Sequence, residues 1–245
     1  MTKFSDRIKK SATTSPIILA NDYDSKTPNI ESKTLKNIKL LNDYLCGIKI
    51  NFHLLLQLDK KQISKINKTA HDYGLQCIAD IKLNDIGNTN IITAENLWNM
   101  GFDAVIVNPI MGKKSLKNLV ELSHKKNKGV ISLCHMSAPE AKISYELEIK
   151  NRSKSQQLYQ LFLDWALSAN VDGIIVGATY PKIISYCKNS VRGKLSLFSP
   201  GIGTQGGSPS KAKKLGSDYL IVGRTILNSK NPLQTTKNLV NDSLI

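Results

Sequence analysis

Eight short apolar runs, each followed by a helical pattern, constrain this 245-residue chain more than any other feature. They are Pro16–Asp22, Cys46–Asn51, Gln76–Lys82, Ala104–Asn108, Gly129–His135, Gly173–Val176, Leu195–Ser199 and Tyr219–Gly223. Runs that are apolar on both faces suit strands of a parallel sheet covered by helices. Their starts lie mostly about 25–30 residues apart, which is a βα period. The one longer gap, from His135 to Gly173, holds an extra polar segment, Ser137–Ser155. Eight βα units in a chain of this length predict an α/β fold of the TIM (β/α)8 type, with a doubly wound open sheet as the alternative. No linker, low-complexity tract or composition break divides the chain, so residues 1–245 are expected to form one domain, the barrel proper running from about 16 to 240.

Between the runs, Leu158, Leu161, Phe162, Trp165, Ala166 and Ala169 follow the i, i+3, i+4, i+7 spacing of a helix with one buried face. A second helix, near 88–100, is expected to start beside the capping types Asn88 and Thr89 and to end at Gly101. No apolar run approaches the ~20 residues that span a bilayer, and the apolar stretch after the charged N-terminus is too short for a signal-peptide core. Cys46, Cys77, Cys134 and Cys187 form no CxxC pair and read as buried thiols, so a cytoplasmic protein is expected. Lys and Arg total 34 against 19 Asp and Glu, a net charge of +15. Only Arg7, Arg152, Arg192 and Arg224 among these are arginines, the lysine pairs are scattered, and aromatics are only 6% of residues. That argues against a nucleic-acid surface. The charge instead favours encounter with a small anionic substrate.

A barrel places its chemistry at the C-terminal ends of the strands. There the chain carries Asp22, Lys49, Asp80, Lys82 and Asp85, charged groups inside or against apolar runs, where an unpaired ion costs several kcal/mol. A lone strand-end lysine reads as a structural ion pair. Two lysines and three carboxylates at one barrel mouth read as a functional cluster. Period-two alternation sends the side chains of Asp80 and Lys82 to the same side, where they can pair. After the seventh run comes Ser199-Pro200-Gly201-Ile202-Gly203-Thr204-Gln205-Gly206-Gly207, and after the eighth Gly223-Arg224. Glycines let backbone N–H groups approach an anion, an arginine fork matches phosphate oxygens, and these two loops are the usual phosphate site of the fold. Ser137, after the fifth run, has two readings: a hydroxyl offered to a planar ligand, or a helix N-cap before Pro139 at N1. His53 and His135 lack any paired ligand spacing and read as structural, so no metal site is expected.

Taken together, Asp80-x-Lys82-x-x-Asp85-Ile86-Gly87-Asn88-Thr89 resembles the signature of the orotidine 5′-monophosphate decarboxylase family. Leu19-Ala20-Asn21-Asp22, Lys49, Met136-Ser137-x-Pro139, Val176-Gly177-Ala178-Thr179-Tyr180-Pro181, the Gly201–Gly207 loop and Val222-Gly223-Arg224 follow in the family's order, from about residue 16 to 240. The chain departs from some members at Asn108-Pro109, where they place a histidine. The resemblance implies decarboxylation of orotidine 5′-phosphate to uridine 5′-phosphate with no metal or organic cofactor. It implies that Lys82 stabilises and protonates the C6 carbanion, that Asp80 lies near the departing carboxylate, and that Lys49 bridges the carboxylates. It further implies a homodimer in which Asp85, Ile86 and Thr89 reach a neighbouring subunit's site. Asp22 would accept a ribose hydroxyl, Ser137 would bond the base, and Pro200 would line the site. Gln205, Gly223 and Arg224 would hold phosphate, under a lid near 203–211. Magnesium-dependent sugar-phosphate relatives share the Asp-x-Lys-x-x-Asp element and are the competing enzymatic reading. The Ser137 segment and the Gln205 loop argue against them.

Overall fold

The computed structural model describes residues 2–24, 26–150 and 155–244. Eight parallel strands close into a barrel: β1 Ile17–Asn21, β2 Gly47–Asn51, β3 Gln76–Leu83, β4 Ala104–Val107, β5 Gly129–His135, β6 Gly173–Val176, β7 Ser196–Pro200 and β8 Tyr219–Val222. Each strand pairs with its sequence neighbours, and β8 pairs with β1 to complete the ring. Closure leaves no unpaired sheet edge. All eight expected strands are present, and the open-sheet alternative is excluded by the β8–β1 pairing of Ile17 with Leu220 and Leu19 with Val222.

Apolar side chains on both faces of the strands form one core that runs through the ring and out to the helices. The helix Leu158–Ala169 forms where the apolar spacing places it, but its fully buried face is Tyr159, Phe162, Leu163, Ala166 and Ala169. Leu158, Leu161 and Trp165 are only half-buried, so the packed stripe is rotated slightly from the expected one. The helix Gly87–Asn99 ends as expected, with Gly101 at φ 95° just beyond it. Its start differs. Ile86 occupies the N-cap, and Asn88 and Thr89 lie inside the first turn. The reason is Asn90, which reaches back to accept from the Asp85 N–H (2.9 Å) and donate to the Asp85 carbonyl (2.6 Å). The segment after β5 forms a short helix, Ala141–Ser144, with Glu140 at its N-cap, and then a hairpin of Glu148–Lys150 with Ser155–Gln157. Ser137 is therefore not a helix cap.

A helix absent from the sequence reading, Phe4–Ser11, packs against the end where the strands begin. Phe4 and Ile8 are buried there. A Cβ on Gly129 would lie 2.3 Å from the Phe4 ring, so only glycine lets that ring settle on β5. Burying a phenylalanine contributes about 1.5–3 kcal/mol. Arg7 ties the helix down through Asp103 (3.0 Å) and Gln76 (3.0 Å). That end of the barrel is thus sealed, and the open end is the one where the strands finish. Among the described residues no helix is long and apolar enough to cross a membrane.

Candidate active site

Chemistry-bearing side chains gather at the open end. A cavity of about 900 Å³, including its mouth, sits over the strand ends. Asp22, Lys49, Asp80 and Lys82 line one wall. Ser137, Pro200, Gln205, Gly223 and Arg224 line the rest. Nine of the twelve candidate residues thus meet in one cavity. Asp85, Ile86 and Thr89 do not. Asp85 and Ile86 instead line a shallow depression on the outer surface with Met111 and Ser115, and Thr89 is exposed on the following helix.

The wall formed by β1, β2 and β3 is built from charge. Asp80 is buried, and its two oxygens each hold one ammonium: Oδ2 accepts from Lys49 Nζ (2.6 Å) and Oδ1 from Lys82 Nζ (2.9 Å). Burial alone would raise the Asp80 pKa, but the two lysines outweigh it and pull it down to about 2. Lys49 is only 4% exposed, whereas Lys82 projects into the cavity. The Asp80–Lys82 pairing does not come from simple alternation. The β3–β4 register shifts between Asp80 and Leu83, and Lys82 sits in the left-handed region at φ 46°. This is a β-bulge, which re-aims a side chain at the end of a strand. A lysine at that φ costs about 1–2 kcal/mol against ordinary backbone.

Asn51 belongs to the same wall and was not singled out from the sequence. Its Oδ1 accepts from Lys49 Nζ and its Nδ2 donates to Asp22 Oδ1 (2.8 Å). The signal was available: Asn51 lies two residues past Lys49 on one strand, so period two sends both inward.

The opposite rim is built from backbone. Gly203 at φ 75° and Gly206 at φ 94° allow the loop to fold back, with Gly207 N–H donating to the Gly201 carbonyl (2.9 Å). A Cβ on Gly203 would meet Thr225 Oγ1 at 2.3 Å, so this approach also requires glycine. Thr225 Oγ1 accepts from Thr204 N–H (3.0 Å) and thereby ties the loop to the Arg224 segment. Gln205 and Arg224 are exposed at this rim.

Between the two walls lies Ser137. Thr179 Oγ1 donates to its carbonyl (3.0 Å), and the Tyr180 hydroxyl donates to that of Ala138 (2.9 Å). The Val176–Pro181 motif therefore fixes the Ser137 segment. Gly201 lies between Ser137 and Gln205: a Cβ there would be 2.8 Å from Ser137 Cβ and 3.3 Å from Gln205 Oε1. Neither histidine near the strand ends lines the cavity. His135 is buried among the Tyr145, Tyr159 and Tyr180 rings, and burial lowers its pKa. His53 contacts the Tyr23 carbonyl (3.0 Å). Among the described residues, the His/Cys/Asp/Glu group spaced for a metal is His71, Cys77 and Asp103. It lies at the sealed end, where Asp103 is already bound by Arg7 and His71.

Residues 15–239 match the model of the orotidine 5′-phosphate decarboxylase / HUMPS family. The chain is 34% identical over 223 residues to the orotidine 5′-phosphate decarboxylase of Pyrococcus furiosus, covering 91% of this chain and 95% of that one. The structure superposes on the Methanocaldococcus jannaschii orotidine 5′-monophosphate decarboxylase complexed with the inhibitor BMP with a TM-score of 0.78, at 28% identity, over 92% of this chain and 98% of that one. It also matches Leishmania donovani UMP synthase with a TM-score of 0.87 at 22% identity, a likeness that bears on the fold alone. The whole chain spans 56% of that longer protein.

Proposed function

The chain belongs to the orotidine 5′-phosphate decarboxylase / HUMPS family, and from that premise we propose that it converts orotidine 5′-phosphate to uridine 5′-phosphate and CO2 without a metal or organic cofactor. The observation that carries this reading is the Lys49–Asp80–Lys82 array facing, across one cavity, a glycine-shaped turn and Arg224. The array suits a reaction whose difficulty is a localised carbanion. The C6–carboxylate bond breaks, the electron pair stays on C6, and the Lys82 ammonium stabilises it and then delivers a proton there. Asp80 holds that ammonium in place before the substrate arrives, so little reorganisation is needed as charge develops. Asp80 lies near the departing carboxylate, and Lys49 compensates its charge. Asp22 accepts a ribose hydroxyl, Ser137 bonds the pyrimidine edge, and Pro200 packs against the base. Gln205, Gly223 and Arg224 take the phosphate, remote from C6, where binding energy favours the closed state under the 203–211 loop.

Asp85, Ile86 and Thr89 serve the site of a second copy in a homodimer. Ile86 is 74% exposed and Ile110, on the next loop, 57% exposed, apolar surface that a partner would cover. Four buried, unpaired cysteines suit a cytoplasmic enzyme.

The test is loss of orotidine 5′-phosphate absorbance with purified protein in excess EDTA. Turnover is expected. No turnover overturns the reading, and turnover only of a sugar phosphate with added Mg²⁺ overturns it in favour of the HUMPS branch.

A further inference from the structure

We infer that Asn51 is a positioning residue that joins Asp22 to the Lys49–Asp80–Lys82 array and thereby sets how strongly the site discriminates on the sugar hydroxyls. The inference rests on the decarboxylase reading above. In the β2–β3 register Asn51 stands opposite Asp80, and Lys49 lies two residues before it on the same inward face. The result is an unbroken series across three strands. Lys82 and Lys49 both donate to Asp80, Lys49 donates also to Asn51 Oδ1, and Asn51 Nδ2 donates to Asp22 Oδ1.

Only one orientation of the Asn51 amide satisfies this series. Reversed, its NH2 would face an ammonium and its oxygen a carboxylate. A neutral amide here does something neither charge type can do. It separates a cation from an anion that would otherwise draw together, and it fixes both. With Asn51 in place, Lys49 keeps its bond to Asp80, and one Asp22 oxygen is held so that the other is left to accept from a hydroxyl. Without it, Lys49 is attracted to Asp22, the array loosens and the Asp22 carboxylate loses its fixed direction. Asn51 thus links recognition of the sugar to placement of the charges that act at C6.

Two variants separate this role from packing. Asn51→Ala removes the amide. Asn51→Asp keeps its shape and the acceptor for Lys49, but sets a carboxylate against Asp22. Each is assayed with orotidine 5′-phosphate and with its 2′-deoxy and 3′-deoxy analogues, and thermal unfolding reports folding. The parent is expected to favour the ribonucleotide over at least one analogue. Both variants should shrink that kcat/KM ratio by about tenfold to a hundredfold, the scale of a hydrogen bond to a charged group, with most of the loss on the ribonucleotide. If Asn51→Ala does not fold, Asn51→Ser, whose single hydroxyl is too short to span both partners, carries the same comparison. A ratio within twofold of parental in folded variants overturns the inference, as does parental discrimination in Asn51→Asp. A parent that decarboxylates all three substrates equally overturns it too. A parent that leaves orotidine 5′-phosphate untouched overturns the decarboxylase reading itself, and this inference with it.

Discussion

The two walls of the cavity are organised by opposite means. On β1–β3 the side chains hold one another. Asp80 is buried between two ammoniums, and Asn51 carries the bonding on to Asp22. On the β7–β8 side the backbone is fixed by turns at Gly203 and Gly206, while the Gln205 and Arg224 side chains reach from it into solvent. The contrast matches what each wall is proposed to meet. Charge that develops only during reaction is stabilised best by groups already in place, because reorienting dipoles at that moment costs free energy. A phosphate is fully charged from the start, so its binding can drive a loop to close and still contribute to the rate.

Breaking the prepaired wall should have the largest effect. Lys82→Ala is expected to abolish turnover while binding of uridine 5′-phosphate is largely kept, and so is Asp85→Ala, through the neighbouring site. Activity within tenfold of parental in Lys82→Ala removes the lysine from the chemistry. When the two inactive proteins are unfolded together and refolded, half the dimers are mixed, and each mixed dimer has one intact site of two. Recovery should approach about a quarter of parental activity if the sites are independent. Absence of recovery, with mixed dimers detected by a tag, would place Asp85 and Lys82 in the same subunit's site.

The solvent-facing wall should respond more gently. A charge-assisted contact is worth about 1.5–3 kcal/mol, so Arg224→Ala is expected to lower kcat/KM by about one to two powers of ten. Added guanidinium ion should restore part of the loss. Unchanged kinetics would move the phosphate site elsewhere.

The smallest effect sharpens the comparison through pH. Asp80 is held at about 2, below its ordinary 3.8. A depressed carboxylate adds stability that is present above its unfolded pKa and lost as pH falls through the folded one. The stability gap between parent and Asp80→Asn, read by denaturant unfolding, should therefore narrow by about 2 kcal/mol between pH 5 and pH 2. The gap between parent and Arg224→Ala should stay flat over that range, and a gap for Asp80→Asn that also stays flat would mean that the array does not depress this carboxylate.

The barrel was legible in the chain because its signals are local. Short runs apolar on both faces, recurring with a βα period, leave few ways to bury them, and a charge inside such a run marks a strand end that faces a site. Asp80 and Lys82 could be read in that way, and Gly203 and Arg224 from the glycine-rich loop and the arginine that follow the last two runs. What the tertiary structure decided depends on neighbours distant in sequence. The bulge that turns Lys82 back toward Asp80 is set by how β3 registers against β4. The fit of Phe4 depends on a bare Gly129 more than a hundred residues away. The start of the helix at Gly87 depends on Asn90 reaching back past Asn88 and Thr89, a choice among three residues with similar capping chemistry. Asn51 acquires its place only when β1, β2 and β3 pair side by side, because Lys49 lies on its own strand but Asp22 lies at the end of the neighbouring one. Periodicity tells which way a side chain points along its own strand. Which groups it then meets is determined by register and closure, and these are properties of the assembled sheet.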